Sequence, residues 1–280
     1  MSAPGGTAAE AYLVQAMWQY SALVLRPAQA ARRLGVLARH IEGDPPMPDG
    51  RPGLGPRFSK ELDGPLMLSD ATEHDHLVAE FDRMGEIYEA YVRPFSTPIM
   101  DEAIAELARY MRPNWRLLDA GCGAGREACR LARFVPNGEV VGIDLAAGMV
   151  QAAWRSAKAK GLDNTAFIQS DVGALPDLLS GQFDLAYSLL AHHHYPEPEA
   201  ATRAIFRALR PGGLYAVIDP GPKWFNELSS PLALWADPGW MRFHSPDEFR
   251  ALFAIAGFDK CSWIELLPGF GIALARKPDA

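Results

Sequence analysis

The run Leu117-Leu118-Asp119-Ala120 passes directly into three alternating glycines, Gly121, Gly123 and Gly125, and a helical stretch follows from Arg126. Glycine reaches positive φ without a steric penalty and lets another group stand where a Cβ would be. A strand that bends this sharply into a helix presents the unpaired N–H groups of the helix start. The change of pattern repeats down the chain. Short β-rich runs at Trp115–Ala120, Glu139–Asp144, Asn164–Gln169, Phe183–Leu189 and Gly213–Asp219 alternate with amphipathic stretches at Arg126–Phe134, Ala147–Lys160 and Glu199–Leu209. Such alternation predicts a doubly wound α/β domain, its mostly parallel sheet covered by helices on both faces. A closing pair, Lys260–Leu266 and Phe270–Ala275, is split by Pro268 and Gly269 and predicts an antiparallel hairpin at the sheet edge.

The first part of the chain reads differently. Residues 8–41 have helical spacing, with Leu13, Met17, Tyr20 and Val24 on one face and Ala31, Leu34, Leu37 and Ala38 on the next. Pro27 should divide them into a helical hairpin. Residues 43–66 carry Pro45, Pro46, Pro48, Pro52, Pro56 and Pro65 and read as a linker. Two helices are then expected, over 73–92 with Tyr88 and Tyr91, and over 99–110. The expected division is a helical extension with its linker at 1–72 and the main domain at 73–280.

The glycine loop does not fit the common nucleotide fingerprints. A dinucleotide loop would place its third glycine where Arg126 stands, and the Gly-Lys-Ser/Thr of a triphosphate loop is absent. Its neighbours are more informative. Asp144 ends the second strand, nineteen residues after Gly125, where a carboxylate can accept both hydroxyls of a ribose. Asp171 ends the third strand segment and could accept from an adenine amino group while the Val172 N–H meets a ring nitrogen. Each aspartate could alternatively be a helix cap. With the loop, the three carboxylates converge on the crevice where strand order reverses.

These motifs, Leu118 through Gly125, Gly142-Ile143-Asp144, Ser170-Asp171-Val172, Phe183 through Ser188, and Leu209-Arg210-Pro211-Gly212-Gly213, resemble the class I S-adenosylmethionine-dependent methyltransferases. The pattern is closest to the small-molecule group that includes the ubiquinone/menaquinone enzymes, and it covers about residues 80–280. The resemblance implies a seven-stranded Rossmann-like sheet with S-adenosylmethionine as cofactor. It implies that Asp119, Gly121, Gly123 and Gly125 hold the methionine portion and that Asp144 with Leu145 holds the ribose. Asp171 and Val172 would hold the adenine, and Ser188 would lie beside the sulfonium.

The acceptor side is less defined. His192-His193-His194 follow the fourth strand, and His193 is the candidate general base. A structural role is the competing reading. A metal is not expected, because consecutive side chains do not easily aim at one ion. Residues 220–245 read as a long connection between the fifth strand and the next helix, rich in aromatics (Trp224, Phe225, Trp235, Trp240, Phe243), and suit a pocket for an apolar or aromatic small molecule, or packing onto the sheet. A net charge of −7 argues against a nucleic-acid acceptor. No stretch is long and apolar enough to suggest a membrane partner, and three scattered cysteines suggest a reducing, cytoplasmic setting. The N-terminal hairpin is expected either to shape the acceptor site or to form a homodimer contact. A cyclase or decarboxylase on the same cofactor fold, or a non-catalytic binding protein, is the alternative to methyl transfer.

Overall fold

The computed structural model describes residues 57–67, 93–237 and 239–279. The expected N-terminal hairpin, with its homodimer contact, and the helix carrying Tyr88 and Tyr91 lie outside the described residues. Helices α1 (Phe58–Glu61), α2 (Arg93–Leu107), α3 (Arg126–Leu131), α4 (Ala147–Ala159), α5 (Pro198–Ala208), α6 (Lys223–Ala236) and α7 (Pro246–Ala256) surround one sheet. Its strands are β1 (Leu66–Met67), β2 (Arg116–Ala120), β3 (Glu139–Asp144), β4 (Thr165–Gln169), β5 (Phe183–Leu189), β6 (Leu209–Pro220), β7 (Asp259–Leu267) and β8 (Phe270–Arg276).

The strand order is β1-β4-β3-β2-β5-β6-β8-β7. Pairing is parallel from β1 through β6, and β8 and β7 are antiparallel. The chain winds outward from β2 through β3 and β4, then returns to β5 and β6. The switch point therefore falls between β2 and β5, and the crevice beyond their C-terminal ends is where ligands of such sheets bind. The closing hairpin forms as expected, with β7 at the edge.

Three features differ from the sequence reading. The sheet has eight strands among the described residues, because β1 pairs Leu66 and Met67 with Ile168 and Gln169. Leu66 and Met67, expected within the 1–72 extension and its linker, are therefore part of the main sheet. Two residues beside Pro65 are too short to show any period. Finally, the stretch from Pro220 to Ser245 contains the helix α6, which runs through Pro231. A proline at that position removes one i→i−4 hydrogen bond and crowds the carbonyl four residues back, yet the helix continues through it.

Successive strand residues point to opposite faces. Leu117, Val140, Leu185 and Ala216 pack beneath α2, α3 and α4 through Ile104, Leu107, Leu131, Val150 and Ala153. Leu118, Val141, Ala186 and Val217 pack on the other face against α5 and α7 through Ile205, Phe249 and Phe253. Every residue of β2 is buried.

At the N-terminal end of the sheet sits a buried charge cluster. Arg116, Glu139 and Asp184 are 2 %, 0 % and 2 % exposed. The Arg116 guanidinium pairs with Glu139, its backbone N–H donates to Asp184 Oδ2 at 2.9 Å, and Arg210 pairs with Asp184. Glu139 also accepts from the Ser59 N–H at 3.0 Å and the Phe58 N–H at 3.3 Å, which ties α1 to the sheet. Buried charges are tolerated when each is paired in this way.

Candidate active site

The three glycines of the β2–α3 loop serve different ends. A Cβ on Gly121 would stand 2.7 Å from the Ala191 Cβ, and one on Gly125 would stand 2.6 Å from the Ala153 Cβ; both residues have positive φ. Among the described residues, nothing stands within 4 Å of the Cβ position of Gly123. Its N–H donates to Asp144 Oδ2 at 2.8 Å. The Gly121 and Cys122 N–H groups both donate to the Ile143 carbonyl at 2.9 Å, which fixes the loop to the tip of β3.

Asp144 accepts at its other oxygen from the Ala146 N–H at 2.9 Å. Burial raises its pKa, and these backbone N–H groups oppose the rise. Each oxygen retains a lone pair for a further hydroxyl. Leu145 follows at the rim, and its carbonyl accepts from Gln169 Nε2 at 3.1 Å. Asp171 is exposed, and its Oδ1 caps the turn at Val172–Ala174 by accepting from the Gly173 N–H at 2.7 Å. The cap alternative is thus met at one oxygen. Val172 is buried.

Two of the expected cofactor residues lie deeper. Asp119 is 2 % exposed, in register with Tyr187 of β5, and burial pushes its carboxyl well above the usual carboxylate range. Ser188 is fully buried. Its Oγ lies 3.1 Å from Tyr195 Oη, which in turn donates to the Ala120 carbonyl at 2.8 Å. Since the tyrosine has one proton, Ser188 must donate to Tyr195. Tyr195, given no role by sequence, therefore braces the start of the glycine loop from the His-bearing segment.

That segment leaves β5 through Leu190, whose φ of +48° is left-handed although it is not glycine. Such a conformation costs on the order of 1–2 kcal/mol and is held only where the surroundings enforce it. Here the Leu190 N–H is fixed to the Ile218 carbonyl at 2.9 Å. One turn of helix, His192–His194, follows. His192 turns away from the other two, and His193 and His194 face one carboxylate. His192 is fully buried among Tyr195, His244 and Phe249, and burial holds its pKa well below the ordinary value.

His193 is oriented by Asp219, a fully buried residue near the end of β6. Its Nδ1 lies 2.6 Å from Asp219 Oδ1, and its backbone N–H donates to Oδ2 at 3.1 Å. On the other side, Nε2 lies 3.6 Å from Asp237 Oδ2, and His194 Nε2 lies 3.5 Å from the same oxygen. Burial alone would lower the His193 pKa, but Asp219 and Asp237 outweigh it and hold the value at about 9. Burial and the neighbouring His193 charge take His194 to about 4. The neutral His193 expected for a base at pH 7 is not the form this surrounding favours, because two carboxylates stabilise the cation.

Around this cluster, Phe243 packs edge-on to His193 and Trp240 packs on Phe243. Phe225 of α6 rests on Phe270, while Trp224, Leu228 and Met241 are exposed. The side chain of Trp235 is outside the described residues.

Residues 111–248 match the methyltransferase domain family. The chain is 31 % identical over 146 residues to an uncharacterized methyltransferase, YcgJ, of Bacillus subtilis, covering 51 % of this chain and 56 % of that protein. It is 34 % identical over 147 residues to nocamycin O-methyltransferase of Saccharothrix syringae (51 % and 50 % covered). It is 36 % identical over 110 residues to a demethylmenaquinone methyltransferase of Thermus thermophilus (39 % and 49 %). The crystal structure of YcgJ superposes with a TM-score of 0.54 at 27 % identity, over 58 % of this chain and 70 % of that one. The chain spans about half the length of the curated relatives it matches.

Over residues 111–248 the chain carries a match to the methyltransferase domain, and its relatives are methyltransferases. The residues present fit S-adenosylmethionine as cofactor. Among the described residues nothing stands within 4 Å of the Gly123 Cβ position beside Asp144, and Asp144 keeps acceptor capacity at both oxygens on the tip of the neighbouring strand.

Proposed function

We propose that the protein transfers a methyl group from S-adenosylmethionine to a small apolar or aromatic metabolite, at oxygen, nitrogen or carbon. The observation that carries this reading is the pairing of Gly123 with Asp144 at the adjoining tips of β2 and β3, with no described residue within 4 Å of the glycine's Cβ position. In this reading Asp144 and Leu145 hold the ribose. The free oxygen of Asp171 and the Val172 backbone hold the adenine, and the glycine loop holds the methionine end. Asp119 acts from below the loop. Ser188 acts through Tyr195, which sets the height of the Ala120 carbonyl and hence of the loop.

When bound, the cofactor supplies a methyl on a positively charged sulfur that departs as a neutral thioether. What remains for the protein is largely orientation, which can account for several kcal/mol of the barrier. His193, fixed by Asp219, lies across the switch point from Asp144. There its Nε2 and Asp237 Oδ2 form the polar face that an acceptor's O–H or N–H meets. The aromatic side chains of 224–243 offer the apolar remainder of the pocket.

Calorimetry with S-adenosylhomocysteine tests the cofactor assignment. Wild type should bind it, and Asp144→Ala should bind at least roughly tenfold more weakly. No heat with either S-adenosylhomocysteine or S-adenosylmethionine would end the proposal. Incubation with S-adenosylmethionine and a panel of phenols, enols and amines should give a product heavier by one methyl. His193→Ala should slow that turnover and leave cofactor affinity unchanged; full activity would remove His193 from the acceptor side.

A further inference from the structure

The His193, His194 and Asp237 cluster has a geometry that an ion pair does not explain. Both imidazole Nε2 atoms approach the same oxygen, Asp237 Oδ2, at 3.6 Å and 3.5 Å. These separations are too long for good N–H···O hydrogen bonds, which fall at about 2.7–3.2 Å. A tetrahedral ion with ligand bonds of about 2.0–2.2 Å would space its ligand atoms about 3.3–3.6 Å apart. The ligating atoms of all three residues lie within 4.8 Å of one another.

The groups behind these atoms are also arranged as a metal site requires. A metal-bound histidine usually donates its other ring N–H to a carboxylate, which fixes the ring and its tautomer. His193 does so to Asp219 Oδ1 at 2.6 Å. A ligating carboxylate is likewise held at its second oxygen, and Asp237 Oδ1 accepts from the Gly239 N–H at 3.1 Å. Adjacent histidines can both reach one point here because the single turn His192–His194 tilts their rings by 50° at a centroid distance of 4.1 Å. The cluster is shallow: the side chains of His193, His194 and Asp237 are 9 %, 20 % and 29 % exposed. Three protein ligands with access to solvent are the pattern of a metal site that keeps one position for an exchangeable ligand.

We propose that His193 Nε2, His194 Nε2 and Asp237 Oδ2 bind a divalent transition-metal cation of the zinc type on the acceptor side of the switch point. The fourth position takes an oxygen donor of the acceptor. This deepens the proposed methyl transfer by naming an acceptor class, a hydroxyl, enol or carboxylate compound able to chelate a cation. It rests on that reading for the acceptor alone, since the ion is held by this chain's own side chains. Asp219 is a positioning residue in this site.

The test uses the full chain, dialysed against a chelator and titrated with Co²⁺ alone, read by visible absorption, and then with Zn²⁺ in competition. One equivalent of Co²⁺ should give the intense spectrum of a four-coordinate ion, and Zn²⁺ should displace it. His194→Ala and Asp237→Ala should each weaken binding at least tenfold, and Asp219→Asn should weaken it by about 10–100-fold. Circular dichroism and S-adenosylhomocysteine calorimetry on the same samples report folding and the cofactor site. Loss of cofactor binding with Co²⁺ binding intact would sink the methyltransferase proposal and leave the metal site standing. Absence of Co²⁺ and Zn²⁺ binding at submillimolar concentration overturns the metal site, as does unchanged affinity in a folded Asp237→Ala. Acetohydroxamate, a bidentate oxygen ligand, should alter the cobalt spectrum; an unaltered spectrum overturns the oxygen-acceptor assignment.

Discussion

The two ends of the sheet are both rich in charge but use it differently. At the N-terminal end, Arg116, Glu139, Asp184 and Arg210 pair with one another and with backbone N–H groups, the first three buried and Arg210 half-buried. At the C-terminal end, Asp144 and Asp171 each accept from the local backbone and keep capacity for more, and no described residue stands within 4 Å of the Gly123 Cβ position. The first pattern closes on itself and holds the strands together. The second is left open and is where chemistry can be done. Charge in a parallel α/β sheet thus becomes informative about function only when its hydrogen-bonding capacity is unfilled.

The largest effect should come from the closed end. Glu139→Ala removes the carboxylate that pairs with Arg116, whose Nη1 still donates to Gln182 Oε1 at 2.9 Å, and the acceptor of two N–H groups of α1. It should cost about 3–5 kcal/mol in urea unfolding, while the fraction still folded binds S-adenosylhomocysteine with native affinity. A parallel loss of affinity would break the contrast. Next, Asp144→Ala should lose about 1.5–3 kcal/mol of cofactor binding with an unfolding midpoint near that of wild type. A midpoint as low as that of the Glu139 variant would show that both ends are structural. The smallest effect is expected for Tyr195→Phe, which removes the hydrogen bond to Ala120 and strands the Ser188 hydroxyl. About 0.5–1.5 kcal/mol should appear in stability, with a further rise in the Michaelis constant for cofactor if the loop relaxes. An unchanged Michaelis constant would confine Tyr195 to folding.

Legibility followed the range of the signals. Strands β3 and β5 have the bounds that their apolar runs predict, because a strand buried on both faces writes itself as a continuous stretch. The glycine loop and Asp144 were legible for a similar reason: tight turns and strand tips are local. Strand β1 was not, since Leu66 and Met67 acquire their role only by pairing with Ile168 and Gln169. Helix α6 was hidden by Pro231. The histidine run was visible, but its character depends on Asp219, 26 residues further on, and on Asp237 beyond that. No spacing within the run announces those carboxylates. Asp119 and Ser188 were named through resemblance, and their burial could not be read from residue type.

The contact between Gly121 and Ala191 joins the cofactor loop to the histidine segment with no spare volume. The remainder of the acceptor side, from 220 to 245, touches the sheet through exchangeable aromatic surfaces. Descendants of such a chain could therefore redraw those aromatic surfaces for new acceptors, provided that Asp237 stays with its two histidines. Position 191 is the second fixed point: anything bulkier than alanine would lever the glycine loop out of place, so retargeting by loop grafting should keep both and replace only what lies outside them.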